Sequence, residues 1–337
     1  MVSLKEVELS NSRIATSLPP HLVAIYVGAT SGIGEASLKQ FAKYALQPRI
    51  YFLGRSQEAG DRIAGDLKKL NPQGEYIFVK ADVSLIRVVD EVCADINSKE
   101  KVVNLLFLCT GTLIRKDTSE GLDLSMSVSY YSRTRFILNL LPLLRQAPSL
   151  RRVITVFAGT YEGPIDLDDI PARKISPLAL RGHESTLITF SLETLAKQAP
   201  EVSFIHSFPG SVKSNLVRGG EGPLIYTMSL VIKAIGPLVN ISSEECGERH
   251  AFLATSARFP AGQNRDVSAG VPLANGVAVA NGTDGKAGSG VYTLDSTAES
   301  GGAKTVTLLA KFRKEGVPEK LWKHTEGEYS RVLGSKS

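Results

Sequence analysis

The sequence predicts a single α/β domain, in which a doubly wound parallel sheet carries helices on both of its faces. Three observations support this prediction: short apolar runs alternate with stretches of helical spacing, the runs lack polar alternation, and the first run ends in glycines. Runs that are apolar on both faces are typical of parallel sheets, whose strands are buried on both sides. The chain has 337 residues, 43% of them hydrophobic, and can bury the core of one large domain.

The order of the elements follows from these local patterns. Short apolar runs predict strands, and the periodic stretches between them predict helices. The predicted strands cover residues 22–27, 50–53, 76–79, 103–108, 153–157, 202–206 and 290–294. The predicted helices cover residues 35–44, 58–70, 86–96, 122–144, 185–197, 245–254 and 318–333. Because strands and helices alternate, the series predicts one sheet and no second domain.

Three further segments lie outside this alternation. Residues 1–20 are polar and predict an N-terminal extension of a domain that covers residues 21–337. An apolar stretch around 215–241 predicts a hydrophobic lid over an apolar substrate, with a further core helix as the alternative. Lys233 and a Gly-Pro step within that stretch argue against a membrane-spanning helix. The segment around 261–303 is rich in glycine, alanine, asparagine and serine, and predicts a flexible insertion that contributes little to the core.

Composition and charge exclude several classes of protein. Lysine and arginine number 39 against 34 aspartate and glutamate residues, and the net charge of +5 is spread in mixed sign along the chain. A nucleic-acid partner is excluded on this ground, because the sequence shows no basic stripe. The cysteines, Cys93, Cys109 and Cys246, lack the spacing of a disulfide framework or a zinc site, so we expect no metal and a cytoplasmic location.

A glycine-rich turn joins the first predicted strand to the first predicted helix. Glycines allow a tight turn and a close approach of the backbone, and the helix N-terminus presents free N–H groups and the positive end of its dipole. This geometry suits a pyrophosphate, so a glycine turn between a strand and a helix predicts a dinucleotide-binding site. The residues assigned to it are Gly28, Thr30, Ser31, Gly32, Ile33 and Gly34.

The ends of the next two predicted strands indicate which dinucleotide binds. Arg55 follows the second strand, where an acid would favour NAD and an arginine accommodates the additional phosphate of NADP. The sequence therefore predicts NADP(H) as the cofactor. Asp82 and Val83, just past the third strand, are placed to contact the adenine edge, although they could equally belong to a helix N-cap region.

These motifs resemble those of the short-chain dehydrogenase/reductase family. The resemblance rests on TSGIG after the first strand, GRS after the second, DVS after the third and Pro209-Gly210 after the sixth, and it covers about residues 22–214. It implies a Rossmann-type domain and an NADP(H)-dependent oxidoreductase. It also implies that Pro209, Gly210, Val212 and Ser214 hold the nicotinamide amide, although the family usually has threonine in place of Ser214.

The positions that carry catalysis in this family differ in the present sequence. The family's reductases protonate the substrate with the tyrosine of a Tyr-x-x-x-Lys pair, assisted by a serine and an asparagine. Ser129 falls where the asparagine would stand, and residues 178–186, where the pair is expected, contain neither tyrosine nor lysine. A shift of the alignment by one position brings Leu180 with Glu184, or Arg181 with Ser185, to the pair, and neither register restores it. We therefore expect a non-standard proton donor, and we expect ordinary ketones to be poor substrates.

Three residues on or just before two predicted helices are candidates to replace the missing acid. His183 lies near the start of the helix that normally carries the tyrosine, and a histidine titrates close to neutral pH. Capping or loop packing is the alternative role for His183. Tyr130 could donate a proton, and Arg133 could bind an anion or polarise a carbonyl, since both follow Ser129 on the helix that borders the nicotinamide in the family.

The loop after the fifth predicted strand contributes further candidates. Tyr161 and Glu162 border the cleft expected beside the nicotinamide, and they compete with Asp166 as acid or orienting groups. His206 lies inside a predicted strand and is expected to be a core histidine.

Two functions of different class remain compatible with the sequence. The first is an NADP(H)-dependent oxidoreductase that acts on a bulky apolar secondary metabolite, since the sequence resembles a divergent fungal branch that is often associated with such pathways. The second is a redox-neutral cyclase, isomerase or dehydratase, or a non-catalytic nucleotide-binding partner, that uses the same pocket as a scaffold. The fold does not decide between them. A homodimer is compatible with either.

Overall fold

The structure of the protein is a computed structural model that describes residues 1–212, 241–263 and 270–334. Its strands are β1 (Val23–Val27), β2 (Arg49–Gly54), β3 (Glu75–Lys80), β4 (Leu105–Leu108), β5 (Arg152–Val156), β6 (Ser203–Ser207) and β7 (Val291–Leu294). They form one parallel sheet in the order β3-β2-β1-β4-β5-β6-β7, which confirms the predicted fold class. Every predicted apolar run overlaps one of these strands, because such runs bury both of their faces.

The helices follow the prediction with a few additions. They are α1 (Leu4–Asn11), α2 (Ile14–Ser17), α3 (Gly32–Tyr44), α4 (Gln57–Leu70), α5 (Ile86–Lys99), α6 (Leu124–Met126), α7 (Ser132–Gln146), α8 (Pro177–Gln198), α9 (Ser243–Thr255), α10 (Ala303–Lys314) and α11 (Val317–Leu333). A π-helical turn, Ser127–Tyr131, joins α6 to α7 within the long helix predicted from the sequence. The sequence patterns did not predict α1, α2 and α10.

Alternate residues of each strand pack against opposite helical layers. Ile25 and Val27 of β1 belong to a core cluster that also holds residues of α5, α7, α8 and α11. Ala24 and Tyr26 of the same strand belong to a second cluster, formed with α1, α3, α4 and α9. The two-residue period of the strand therefore gives each face of the sheet its own apolar cover.

The order of the strands reverses between β1 and β4. β1 pairs in parallel with β2 on one side and with β4 on the other. The strands consequently end at one edge of the sheet, which we term the carboxyl edge. Ligands of open α/β sheets bind outside this edge, at the point where the strand order reverses. The residues that follow the strands include Gly28, Arg55, Ala81, Cys109, Phe157, Phe208 and Asp295.

The segment around 261–303 contributes more to the core than its composition predicts. Among its described residues, Val271 and Ala280 are buried in the same apolar cluster as α9. A Cβ at Gly270 would lie 1.8 Å from the carbonyl oxygen of Thr255, so glycine here permits close packing of two backbones. The predicted small contribution to the core is therefore wrong for the described residues, because high glycine content was interpreted as flexibility.

The predicted N-terminal extension, residues 1–20, forms α1 and α2 and packs onto the domain. Val7 and Ile14 are fully buried. Asn11 donates hydrogen bonds to the carbonyl oxygen and to Oε2 of Glu248 on α9, at 2.8 and 2.6 Å. These contacts make the first two helices part of the folded unit.

Two of the predicted features fall on residues that the structure does not describe. The hydrophobic lid around 215–241 lies outside the described residues except for Ile241, and so does Ser214. In the described part of the chain, none of the helices is both long and apolar enough to span a membrane.

Candidate active site

The turn after β1 packs its backbone against neighbouring backbone more closely than side chains at its glycines would allow. Gly28 has a φ of +82°, and a Cβ at this position would lie 2.8 Å from the backbone nitrogen of Thr110. A Cβ at Gly34 would lie 2.2 Å from the carbonyl oxygen of Gly28. Ser31 is the N-cap of α3 but accepts no side-chain hydrogen bond there, so the first N–H groups of α3 keep their capacity to bind an anion. This backbone fits a dinucleotide pyrophosphate. The other residues assigned to the turn are Thr30, Gly32 and Ile33.

Arg55 stands on the surface beside this turn. A Cβ at the preceding Gly54 would lie 2.2 Å from Cγ2 of Thr30, so the end of β2 packs directly against the phosphate turn. The side chain of Arg55 is exposed, and within the described part of the chain no hydrogen bond or ion pair involves it. A guanidinium in this position is free to pair with a phosphate on the ribose.

The two residues assigned to the adenine follow β3. Asp82 is exposed, and its Oδ1 accepts a hydrogen bond from the backbone nitrogen of Ser84 at 3.1 Å. Val83 is 7% exposed and packs in the core. Leu85, not Asp82, is the N-cap of α5, so the adenine contact remains a prediction for an exposed carboxylate.

The loop after β6 lies at the other end of the carboxyl edge. Gly210 has a φ of +80°, and a Cβ there would lie 3.0 Å from Cβ of Ser296. Val212 forms an isolated parallel bridge with Ile241. Pro209 and Gly210 are therefore placed beside the end of β7, on the side of the site where the resemblance expects the nicotinamide.

Arg133 is a buried residue that connects the end of β5 with the segment after β4 through hydrogen bonds. Its Nη1 donates to Oγ1 of Thr155 at 2.7 Å and to the carbonyl oxygen of Val156 at 2.9 Å, and its Nη2 donates to the carbonyl oxygen of Thr110. Burial lowers the pKa of this guanidinium to about 10. Because both terminal nitrogens are engaged, the predicted role of Arg133 in binding an anion or polarising a carbonyl is not supported. Its hydrogen bonds instead connect the segments that form the carboxyl edge.

Tyr130 is directed into the helical layer. Its hydroxyl lies 2.6 Å from Oγ1 of Thr325 on α11, and the residue is only 1% exposed. Burial raises the pKa of Tyr130 to about 12. The prediction that Tyr130 donates the proton therefore disagrees with this geometry, because the helix turns its side chain toward α11.

His183 is buried, and both of its ring nitrogens contact backbone groups. Nδ1 accepts a hydrogen bond from the backbone nitrogen of Asp166 at 3.3 Å, and Nε2 lies 3.0 Å from the carbonyl oxygen of Ile170. These contacts fix a neutral ring that carries its proton on Nε2. Burial lowers the pKa of His183. The ring has no nitrogen available for a substrate in this conformation, which favours the alternative role, loop packing.

Tyr161 is the accessible candidate in the loop after β5. It is 39% exposed, its ring lies 4.8 Å from that of Phe208, and the guanidinium of Arg181 lies 3.9 Å from its centroid. Tyr161 therefore borders the segment that leads to Pro209. Asp166, the other exposed candidate of this loop, accepts a hydrogen bond from the backbone nitrogen of Asp168 at 2.9 Å through its own Oδ1.

Glu162 and His206 form a buried polar network behind this loop. Oε1 of Glu162 accepts from the hydroxyls of Thr189 at 2.7 Å and Thr293 at 2.6 Å, and it lies 3.6 Å from Nδ1 of His206. Nε2 of His206 accepts from the backbone nitrogen of Ala158 at 3.1 Å. Burial lowers the pKa of His206, while the nearby carboxylate of Glu162 opposes this. The expectation of a core histidine is confirmed, and the network fixes the loop after β5.

Glu184 is the functional candidate that the sequence analysis missed. It lies on α8, it is 2% exposed, and its Oε1 is 3.5 Å from Oγ of Ser125. Ser129, which was predicted to stand where the family has asparagine, faces the same carboxyl group. Burial raises the pKa of Glu184 to about 7, against the opposing effects of Ser129 and Arg133. The available signal was its alignment with the expected lysine, which was rejected on residue type alone.

The fold and the site together define a class of protein before any comparison is made. The strand order reverses beside an open phosphate turn, and a buried polar cluster lies next to it at the carboxyl edge. This combination is typical of dinucleotide-dependent α/β enzymes.

Comparison with known proteins identifies the family. The profile described as short chain dehydrogenase matches residues 22–149. Oxidoreductase AN1596 of Emericella nidulans is 39% identical over 331 residues, which cover 97% of this chain and 97% of that protein. Short-chain dehydrogenase/reductase SAT2 of Stachybotrys chartarum is 31% identical over 334 residues, 90% of each chain. The chain belongs to the short-chain dehydrogenase/reductase family and is an oxidoreductase of this type.

A solved structure supports the fold assignment. The RhlG/NADP active-site complex of Pseudomonas aeruginosa superposes with a TM-score of 0.56 at 19% identity, over 78% of this chain and 98% of that one. At this identity the similarity shows the shared fold alone.

Proposed function

We propose that the protein is an NADP(H)-dependent oxidoreductase that acts on a bulky apolar secondary metabolite and uses a proton donor other than a Tyr-x-x-x-Lys pair. NADPH supplies a hydride when it is bound. The residues of the chain would hold the dinucleotide along the carboxyl edge, with the pyrophosphate on the turn from Gly28 to Gly34 and the adenine beside Asp82 and Val83. Pro209, Gly210, Val212 and Ser214 would hold the nicotinamide amide.

One observation carries the choice of NADP(H), namely the free guanidinium of Arg55. It stands beside the phosphate turn, it is exposed, and in the described part of the chain it has no carboxylate partner that a ribose phosphate would have to displace. A charge-assisted contact of this kind contributes roughly 1.5–3 kcal/mol, which is about tenfold to a hundredfold in affinity.

The substrate class is proposed from the sequence. The apolar stretch around 215–241 suits a lid over a bulky apolar molecule, although its position lies outside the described residues apart from Ile241. A cytoplasmic location and a homodimer likewise stay predictions.

A redox-neutral reaction is the second candidate, because α8 contains no tyrosine and the usual acid is therefore missing from its usual helix. A cyclase, isomerase or dehydratase needs the pocket but no hydride transfer. The same holds for a non-catalytic nucleotide-binding partner.

Titration with NADPH and NADH, followed by transfer of deuterium from deuterated NADPH to an aromatic 1,2-diketone, tests the proposal. We expect NADPH to bind more tightly than NADH, and Arg55→Ala to reduce that preference by about tenfold to a hundredfold. Arg145→Ala is the matched control, since Arg145 lies in the last turn of α7 at the opposite edge of the sheet, where Val103 bonds to Leu143. Equal affinities in the native protein would refute the choice of cofactor. Binding of NADPH without any deuterium transfer would favour the redox-neutral reading.

A further inference from the structure

Glu184 lies on α8, and its carboxyl group lies 3.5 Å from Oγ of Ser125 on α6. The neighbouring residue, Ser185, donates a hydrogen bond to the carbonyl oxygen of Ala158, the second residue after β5, at 3.1 Å. Across the site, Oγ of Ser125 donates to the carbonyl oxygen of Thr112, in the segment after β4, at 2.9 Å. Glu184 therefore lies between α8, which bonds to the segment after β5, and Ser125, which bonds to the segment after β4. In the proposed function, the nicotinamide and the substrate would lie at this edge of the sheet.

The charged groups that face Glu184 form their hydrogen bonds and ion pairs with other residues, and Nε of Arg133 is buried without a hydrogen-bond partner among the described residues. Arg133 of α7 donates to Thr155, Val156 and Thr110, as described above. Arg115 forms an ion pair with Asp123, with its Nε 2.8 Å from Oδ2 of that residue. Within the described part of the chain, no ion pair involves Glu184. A buried carboxylate without an ion pair is strongly unfavourable, so this environment favours the neutral acid.

The serine hydroxyls around Glu184 point to the same protonation state. Ser129 donates its hydroxyl hydrogen to the carbonyl oxygen of Ser125 at 2.6 Å. Ser125 has its shorter contact with Thr112, so the 3.5 Å contact with Oε1 of Glu184 is left without that hydrogen. Each serine has one hydroxyl hydrogen, and the shorter contact of each serine is with a carbonyl oxygen. Hydrogen bonding by the serines therefore lowers the pKa of the Glu184 carboxyl group less than burial raises it.

We propose that Glu184 is the catalytic acid that delivers the proton to the substrate oxygen, an inference that rests on the oxidoreductase function proposed above. In the step, the substrate carbonyl carbon receives a hydride with its electron pair from NADPH, which becomes NADP⁺. The O–H bond of Glu184 breaks, its proton joins the developing alkoxide, and the resulting carboxylate regains a proton from solvent. Ser125 and Ser129 orient the carboxyl group in this scheme, and Arg133 is a positioning residue.

The test compares the native protein with Glu184→Gln, which keeps the size and neutrality of the group but removes the proton. Because a general acid contributes about 10²- to 10⁴-fold, we expect single-turnover deuterium transfer to the aromatic 1,2-diketone to fall by about a hundredfold or more. Glu184 must be protonated to act, so the native rate should decline as the pH rises above about 7. The variant should lose this decline, and its NADPH affinity should stay within about threefold of the native value.

An infrared readout tests the proton on Glu184 without any turnover. The native protein should lose a neutral carboxyl signal between about pH 6 and about pH 8.5, and Glu184→Gln should lack that change. Glu193→Gln is the matched control on the same helix, since Glu193 pairs with Arg313 far from the site, at 2.5 Å. It should keep the carboxyl signal, the rate and the pH profile.

The outcomes separate this inference from the proposed function. An unchanged rate and pH profile in a folded Glu184→Gln variant would overturn the role of Glu184, and a large loss in Tyr161→Phe instead would transfer the role to that exposed hydroxyl. Absence of NADPH binding by the native protein would overturn the proposed function. The infrared signal would then still decide whether Glu184 holds a proton at neutral pH, and its absence would overturn the inference on its own.

Discussion

His250 should make the stability of this protein depend on pH between about 6.5 and 4. It lies on α9, where its Nδ1 donates to the carbonyl oxygen of Cys246 at 2.7 Å and its ring meets the edge of Phe107. Its Nε2 is buried and has no hydrogen-bond partner among the described residues. A proton on Nε2 would therefore place an unpaired charge in the apolar layer between α9 and the sheet.

The size of the effect follows from the shift in the pKa. Burial lowers the pKa of His250 from 6.5 to about 4. As the pH falls below 6.5, the unfolded chain binds this proton but the folded chain does not, so the free energy of unfolding decreases. One pKa unit corresponds to about 1.4 kcal/mol, so the loss is about 2 kcal/mol at pH 5 and about 3 kcal/mol near pH 4, below which it levels off.

Urea unfolding of the native protein and of His250→Leu, at about pH 7.5 and about pH 5, measures this contribution. At the higher pH the two should agree within about 1 kcal/mol, because leucine removes one hydrogen bond but also one unsatisfied buried nitrogen. Between the two pH values the native protein should lose about 2 kcal/mol more than the variant. His21→Asn, at an exposed position with a φ of 61° that asparagine tolerates, is the control. Parallel losses in the native protein and in His250→Leu would refute the reasoning.

Two further predictions concern the site. Gly34→Ala should lower the unfolding free energy by about 1–3 kcal/mol and weaken NADPH binding, because its Cβ would lie 2.2 Å from the carbonyl oxygen of Gly28. A variant with native-like melting and NADPH affinity would contradict the close approach of the two backbone segments. His183→Gln should destabilise the fold by about 1–3 kcal/mol and leave the pH profile of hydride transfer unchanged, since the ring bonds only to backbone. A tenfold loss of rate in that variant, with a flattened pH profile, would return His183 to the role of the acid.

The sequence predicted the fold well because the elements of this sheet are encoded locally. An apolar run marked every strand, because a strand that is buried on both faces consists mainly of consecutive apolar residues. Such a strand can be predicted without knowing its neighbours in the sheet. The start of α8 was placed eight residues too late, because its first turns mix polar and apolar residues without a helical period. Its true start has local signals, Ser176 as N-cap and Pro177 in the first turn. α10 was missed because few of its residues are buried: Thr305, Leu309 and Phe312.

The two halves of the site differed in how far they could be predicted. The phosphate turn and Arg55 lie within a few residues of strand ends, so their placement follows from the strands themselves. The catalytic candidates depend on contacts between distant parts of the chain. Tyr130 was assigned to the cleft, but its partner, Thr325, lies 195 residues away on α11. The direction of such a side chain depends on packing that helical spacing does not specify.

The catalytic part of this site lacks the residues that the family uses. A last prediction follows: restoring the family's Tyr-x-x-x-Lys pair will not restore a family-type reductase. Leu180→Tyr with Glu184→Lys would place the pair on α8 in the register that brings Glu184 to the lysine position. The lysine, however, would be buried near Arg133 and Arg115, where Glu184 has no ion pair among the described residues. A buried ammonium without a carboxylate partner is unfavourable by several kcal/mol or loses its proton, and a neutral lysine cannot lower the pKa of a tyrosine.

We therefore expect the double variant to melt at a lower temperature than Leu180→Tyr alone and to leave simple ketones unreduced, as measured by thermal unfolding and NADPH consumption. Leu180→Tyr is the matched control, because it introduces the same tyrosine into a position that is 8% exposed and leaves Glu184 in place. A double variant that is as stable as this control and reduces simple ketones would contradict the argument. It would mean that the cluster around Glu184 accepts either charge, and that the buried carboxyl group is a replaceable part of the site.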